Sequence, residues 1–510
     1  MRGIARYVLV AALACGAAWI FAVPASAAAA SCSAAASKSG EWPVYGHDLA
    51  NTRSQPLERA LGPAQAGSLS PAWVFSTASV GDASAFQSTP VVDRGCVFVG
   101  STNAVVYALG AADGKLVWHR QLPLTSAGFG GGIVGAPVVS GGRVFVLVDE
   151  ANAPYVAALD RVSGALLWKS APIAAGDGMY TNASPVLADG FIVAGYSPAE
   201  GDPTSTGGFA LLDRRPAQSR RSRPRSLRPT RPRASRAGGC GARPPMTRPR
   251  STSIGAPAIP PASSSSTRTP TILKIDLSRS GPTFGEIVAA YPGNVDQYTD
   301  TLQTLRGTPV CAASDNPSVP YPLDDPACGQ LDLDFGASAN LFTDSHGTEL
   351  VGDLQKSGVY HAANADTMKP AWSRIVGVSC AACNAASTAF DGQSIEGVGT
   401  PGGELFSLGR DDGSPNWLSP IADGVHYQSV SAADGVVYTV DGNGFLDLID
   451  AASGNTITRR PMSQDTGTPT QGTTSDGVSI AEHMVFASAS EVPTATGTAV
   501  AGLIVAYRGG

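Results

Sequence analysis

A chain of 510 residues is too long for one small core. At roughly 100–200 residues per domain it has room for about three domains, or for one large array of repeats. Apolar residues make up 43% of it and charged residues only 15%, against roughly 25% charged in an average globular protein. The 59 glycines and 38 prolines make it turn-rich but leave it below the ~25–30% Pro plus Gly of low-complexity chains. A coiled coil, a disordered chain and a multi-spanning membrane protein are thereby excluded.

The chain begins with Arg2 and Arg6 ahead of an apolar run from Tyr7 to Val23, followed by Ala25-Ser26-Ala27. A positive stretch, an apolar stretch and an A-x-A site read as a secretory signal peptide over residues 1–27; the apolar run is shorter than the ~20 residues of a membrane-spanning helix. Residues 28–40 then read as a linker. The expectation is a secreted or extracytoplasmic protein without a membrane span. Lipid anchoring at Cys32 is disfavoured, because Ala29-Ala30-Ser31 lacks the usual aliphatic residue three positions before the cysteine. Export makes disulfides plausible. With Cys15 in the leader and Cys240 in an anomalous tract, six cysteines are left. Cys311 with Cys328 is the best local pair, and Cys380 with Cys383 is a second candidate. No further ligands at zinc spacing flank them, and no His follows Cys383, as haem attachment requires.

From residue 90 onward the chain repeats itself. Val106–Trp118 has a near-copy at Val156–Trp168, 50 residues on. Further copies run over Tyr360–Trp372, Leu405–Trp417 and Leu446–Ile457, and weaker ones over Phe209–Asp213, Leu273–Ser280 and Leu503–Tyr507. Each reads as an alternating strand, a turn whose glycine supplies φ > 0, and a second strand ending in Trp. Short strands recurring in sets of four predict an all-β fold, an eight-bladed β-propeller of four-stranded antiparallel blades occupying residues 41–510. The fixed Trp is expected to pack between neighbouring blades.

Between Arg214 and Arg250 thirteen arginines crowd into a stretch without Asp, Glu or Lys. Subtracting them leaves 22 basic against 41 acidic residues, so a net charge of −6 becomes −19 for the remainder. The tract spans residues 214–271 and interrupts the repeat. Its Arg, Pro and Ser are poor strand formers, which predicts disorder. Export argues against reading it as a nucleic-acid arm.

The repeat A-x-D-x-x-(T/S)-G-x-x-x-W is similar to that of the propellers that bind pyrroloquinoline quinone (PQQ). Glu41-Trp42-Pro43-Val44-Tyr45-Gly46-His47-Asp48 with Thr52-Arg53 resembles the opening of the PQQ-dependent alcohol dehydrogenases. Leu331–Phe342, Gln355-Lys356-Ser357-Gly358 and Gly424-Val425-His426-Tyr427 resemble the polyvinyl-alcohol dehydrogenase branch. This resemblance implies a quinone on the propeller axis, a calcium ion as Lewis acid, a carboxylate as base and a cofactor that carries the redox chemistry. Carried over, Glu200 is the metal-binding glutamate, Asp296 the base and Lys356 the cation that contacts the quinone, whereas His361, His426 and Trp417 read as structural. The substrate implied is a small or polymeric alcohol. Without Cys-x-x-Cys-His, the electron acceptor is a separate partner.

The same resemblance gives the tract a meaning. Read one base back, the codons of Cys240–Pro249 can encode Trp-Ser-Thr-Pro-Ala-Tyr-Asp-Pro-Ala, and those of Ser251–Pro260 can encode Lys-Tyr-Leu-Tyr-Trp-Gly-Ala-Gly-Asn-Pro; both look like the family's own blade sequence. In-frame repeat resumes at Ile272. Residues 214–271 thus read as the product of two compensating frameshifts. The Trp that would floor the quinone is replaced by Gly241, and the Asn that would bind calcium by Ile259. The sequence therefore points to an exported quinoprotein-type oxidoreductase impaired by this loss. Its rival is a non-catalytic propeller used as a protein-binding scaffold, like the lipoprotein propeller of outer-membrane protein assembly.

Overall fold

The computed structural model of the protein describes residues 31–128, 131–198, 207–214, 225–226, 252–256, 271–293, 334–379, 383–399, 404–420, 427–472, 477–492 and 500–510. The alternating apolar segments form antiparallel sheets in chain order. Sheet 1 consists of Val91–Asp93, Cys96–Gly100, Val105–Gly110 and Leu116–Gln121, paired in that sequence. The pattern recurs in sheet 2 (138–169), sheet 3 (186–226), sheet 5 (340–375), sheet 6 (389–420) and sheet 7 (431–461). Within a sheet the middle strands are buried on both faces, as Val105–Gly110 is, while the last strand is mostly exposed. The first strands of sheets 2, 1, 8, 7, 6 and 5 touch in series, which makes them the inner wall of a ring.

The ring closes through the N-terminal side of the chain. In sheet 8, Val478–Ala481, Met484–Glu491 and Gly502–Arg508 are joined by Ser70–Ser76, with Phe75 opposite Ile504. Among the described residues the only helices of α type are the single turns Pro63–Ala66 and Met462–Thr466, so none is long and apolar enough to cross a membrane. The all-β propeller with four-stranded antiparallel blades is therefore correct.

The expected count of eight complete blades is not. Seven sheets carry four strands or more. Sheet 4, formed by Thr252–Ala256, Thr271–Ile275 and Ile287–Tyr291, carries three among the described residues. Its fourth strand would have to come from the tract before Thr252, where Pro244, Pro245 and Pro249 lack the N–H groups a central ladder needs.

The repeated Trp docks consecutive sheets. Trp73 of sheet 8 donates its indole N–H to Ala111 O of sheet 1 at 2.9 Å, Trp118 of sheet 1 to Arg161 O of sheet 2 at 3.0 Å, and Trp417 of sheet 6 to Ala451 O of sheet 7 at 2.8 Å. Each ring lies flat on the turn glycine of the next sheet. A Cβ on Gly164, at φ +65°, would stand 2.5 Å from the Trp118 ring. Glycine is thus required twice at this position, for the backbone angle and for the space. Trp372 packs on Gly413 in the same way. Neither Trp372 Nε1 nor Trp168 Nε1 has a hydrogen-bond partner among the described residues. For Trp168 the receiving turn of sheet 3 follows Arg214, beyond them.

Cys32, to which the sequence assigns no partner, is bonded to Cys96, with Cα atoms 5.1 Å apart, tying the segment before Glu41 to sheet 1. Cys383 is disulfide-bonded, while Cys311, Cys328 and Cys380 lie outside the described residues.

Two carboxyl groups are enclosed beside the seam between sheets 5 and 6. Asp353 and Glu396 are 1% and 0% exposed, and both act electrostatically on the buried Tyr360. Burial pushes both well above the ordinary carboxylate range. Asp391 raises Glu396 further, and the Leu354 N–H partly offsets the rise at Asp353. A folded-state pKa above the unfolded value means that the folded protein holds extra protons, so stability present below about pH 4 is lost as pH rises.

Two outcomes follow. Replacing Trp118 with Ala should cost ~3–5 kcal/mol in urea unfolding, whereas Leu116→Ala on the same exposed strand should cost under ~1 kcal/mol. Glu396→Gln should stabilise the protein at pH 8 by more than ~1 kcal/mol and flatten the decline between pH 5 and 8. An unchanged slope would show that Glu396 is ionised in the fold.

Candidate functional site in the axial cavity

The opening motif Trp42–Gln55 lies across the axis. Trp42 pairs with Val92 of sheet 1. Pro43 O accepts from Val139 N of sheet 2 at 2.8 Å, Ala50 O from Leu341 N of sheet 5 at 2.8 Å, Thr52 O from Phe390 N of sheet 6 at 2.7 Å, and Arg53 O from Ala432 N of sheet 7 at 2.9 Å. Gln55 Nε2 reaches Ile480 O of sheet 8 at 3.1 Å. Every contact is made at the innermost strand. The Tyr45 hydroxyl lies 2.9 Å from Ser387 Oγ and 2.6 Å from Ser429 Oγ, residues that lead into the inner strands of sheets 6 and 7.

Against this segment lies a cavity of ≈ 590 Å³, within the ~300–1,000 Å³ range of small-molecule sites. Val44, Tyr45 and Asp48 form one wall. Val193, Phe209, Leu273 and Ile275 form an apolar wall on sheets 3 and 4. Lys356 enters from sheet 5 and is the only Lys or Arg among the lining residues.

Lys356 does not stand by itself. Its Nζ lies 3.5 Å from Asp334 Oδ2, with the lysine side chain 16% and the aspartate side chain 2% exposed. Lys356 N also donates to Asp334 O at 2.9 Å, and Asn384 Nδ2 donates to Lys356 O at 3.2 Å. Burying a carboxylate is tolerable only with such compensation. Tyr427, another lining residue, has its hydroxyl pKa raised by burial, with Lys356 near enough to pull the other way.

Of the residues singled out in the sequence, Lys356 is therefore at the cavity. Glu200, Asp296 and His426 lie outside the described residues. His361 is fully buried on the strand Val359–Asn364 of sheet 5, and Trp417 is a docking tryptophan. Sequence reasoning missed Asp334. The signal was present, because Asp334 falls inside the quoted run Leu331–Phe342, but nothing in the run shows that residues 334 and 356 share an edge.

The donor set of a calcium–quinone complex is not assembled. Calcium takes six to eight oxygen ligands, and no group of three or more His, Cys, Asp or Glu converges among the described residues. The carboxylates of PQQ need cations, and the cavity supplies Lys356, already engaged with Asp334. The described residues do not fit the cofactor.

The tryptophan-docked sheets, the ring closed by an N-terminal strand and the axial cavity define a β-propeller. Residues 59–237, under half of the chain, match the family model described as outer membrane protein assembly factor BamB. Among solved structures, a europium-containing methanol dehydrogenase is similar at 13% identity, over 92% of this chain and 98% of that one, with a TM-score of 0.62. The quinohemoprotein alcohol dehydrogenase of Comamonas testosteroni is similar at 12% identity, over 92% and 81%, with a TM-score of 0.55. ADHIIG of Pseudomonas putida HK5, also a quinohemoprotein alcohol dehydrogenase, is similar at 11% identity, over 92% and 80%, with a TM-score of 0.59. At these identities the likeness is one of fold. No curated protein sequence matches the chain.

Lys356→Met should destabilise the protein by ~3–5 kcal/mol at pH 7, because it leaves Asp334 buried without its cation. The loss should shrink when Asp334→Asn removes the carboxylate as well, and equal losses in the single and double variants in urea unfolding would show that the two side chains are not coupled.

Proposed function

We propose that the protein is an exported, quinoprotein-type oxidoreductase of alcohols, impaired in this sequence by the loss, with residues 214–271, of one blade's site residues. The observation that carries this reading is Lys356 on the wall of the axial cavity, with Asp334 buried behind it and its Oδ2 3.5 Å from the lysine Nζ. A carboxylate buried beside a lysine is suited to accept a hydroxyl proton, while the ammonium donates to the same oxygen. Asp334 takes the role that the sequence resemblance gave to Asp296. Lys356 keeps its place at the cofactor side, and Glu200 is the proposed metal ligand. With Gly241 and Ile259 in place of the floor and the calcium ligand, no step through the quinone belongs to the chain as it stands. The substrate is a small or polymeric alcohol, in keeping with the polyvinyl-alcohol motifs, and the electron acceptor is a separate molecule.

Export rests on residues 1–27 and is supported by the Cys32–Cys96 disulfide, a bond of oxidising compartments. A sulfur held in that bond is unavailable for lipid attachment, which favours a free exported protein over a lipoprotein.

A scaffold role is the second reading. It is favoured by the match of residues 59–237 to the BamB family model and by the missing cofactor donors. PQQ and calcium added to this chain and to a frame-corrected version, with an alcohol and an artificial electron acceptor, separate the two. The corrected chain should bind quinone and turn over, and the present one should do neither. If neither binds quinone, the scaffold reading prevails. Turnover by the present chain would refute the loss of the site. In the corrected chain Asp334→Asn should abolish turnover; abolition by Asp296→Asn instead returns the base role to that residue.

A further inference from the structure

Behind the Asp334–Lys356 pair lies an enclosed hydrogen-bonded array that the blade repeat does not require. Tyr291 Oη is 3.0 Å from His361 Nδ1, His361 Nε2 is 3.1 Å from Gln355 Oε1, and Ser357 Oγ donates to the same Oε1 at 2.7 Å. An amide oxygen only accepts, so Nε2 carries the proton and Nδ1 accepts from the Tyr291 hydroxyl. Burial holds the His361 pKa at about 3, which keeps the imidazole neutral and the direction of these bonds constant. The Phe335 ring meets the imidazole edge-on at 5.7 Å.

Two short stretches run side by side here, joined by the bond from Lys356 N to Asp334 O. In one, Phe335 turns inward onto His361, while its neighbour Asp334 meets Lys356 and Gly336 lines the cavity. In the other, Gln355 and Ser357 turn inward, both fully buried, while Lys356 between them faces the cavity. The second stretch is a tight turn closed by Gly358 N donating to Gln355 O at 2.9 Å, so holding Gln355 and Ser357 inward leaves Lys356 facing the cavity. The His361 side chain touches both Phe335 and Gln355.

We propose that His361 is a positioning residue that holds the Asp334–Lys356 pair in register by clamping Phe335 and Gln355 from behind. The inference rests on the reading of that pair as the working groups of the site, but its test needs neither quinone nor turnover.

The test is competitive labelling of the full chain with acetic anhydride, followed by peptide mass spectrometry. The chain has five other lysines, Lys38, Lys115, Lys169, Lys274 and Lys369, as internal references. His361→Phe, which keeps the ring contact but removes both hydrogen bonds, should raise labelling of Lys356 about fivefold relative to the references, the worth of one buried hydrogen bond. His361→Gln, which retains a donor and an acceptor, should keep the wild-type ratio. If His361→Phe does not fold by circular dichroism, Tyr291→Phe decides, with an expected rise of about twofold or more. An unchanged Lys356 ratio in a folded variant, or a uniform rise at all six lysines, overturns the proposal. That result would leave the oxidoreductase reading to the quinone reconstitution.

Discussion

The inner wall of a propeller presents a physical problem that its blades cannot solve alone. The first strand of each sheet has one neighbour within the sheet, so its other edge faces the axis with backbone groups unpaired, and buried N–H groups without acceptors are costly. Here the segment Trp42–Gln55 supplies the acceptors. Its carbonyls meet Val139, Leu341, Phe390 and Ala432 at equivalent places in four inner strands. Arg53 holds the far end. It is completely buried, and its guanidinium donates to Val430 O at 2.7 Å, Tyr45 O at 2.9 Å and Ser431 Oγ at 3.0 Å, with Tyr45 also under its charge at 4.7 Å. All of these partners are neutral, so the arginine is held by carbonyl and hydroxyl dipoles. A single stretch of chain thereby serves as a crossbar for the ring and as a wall of the cavity.

That dual role explains why much of the fold could be read from sequence. The turn glycine and the terminal Trp of each repeat are contact partners between consecutive sheets, as Trp118 on Gly164 shows. Their spacing therefore encodes the ring as well as the blade. The opening motif was legible as a family feature, but its mechanical part was not, because nothing local indicates that the carbonyl of Thr52 meets a strand more than three hundred residues away. The Cys32–Cys96 bond escaped for a similar reason. Local spacing favours Cys311 with Cys328, whereas a bond across 64 residues is set by where the N-terminal segment docks.

The site was legible in part. Lys356 lies in a motif of four residues and reaches the cavity. Asp334 sits where a strand-like stretch enters sheet 5, and its value comes from a neighbour twenty-two positions on. His361 was read as structural, and its complete burial agrees with that. Its hydrogen bonds to Tyr291 and Gln355 are tertiary facts that no window of sequence contains.

The sheets that flank the arginine tract keep the pattern of the ring. The short last strand of sheet 3, Arg225–Ser226, and the first strand described for sheet 4, Thr252–Ala256, both fall within residues 214–271. The sheets on either side, 2 and 5, are complete. Trp168, at the outer edge of sheet 2, is the docking tryptophan whose receiving turn would follow Arg214, and its indole N–H has no partner among the described residues. Closure by Ser70–Ser76 and the crossbar at Trp42–Gln55 lie outside that stretch. The ring is held by contacts that the tract does not touch, whereas the proposed quinone floor and calcium ligand come from the tract itself.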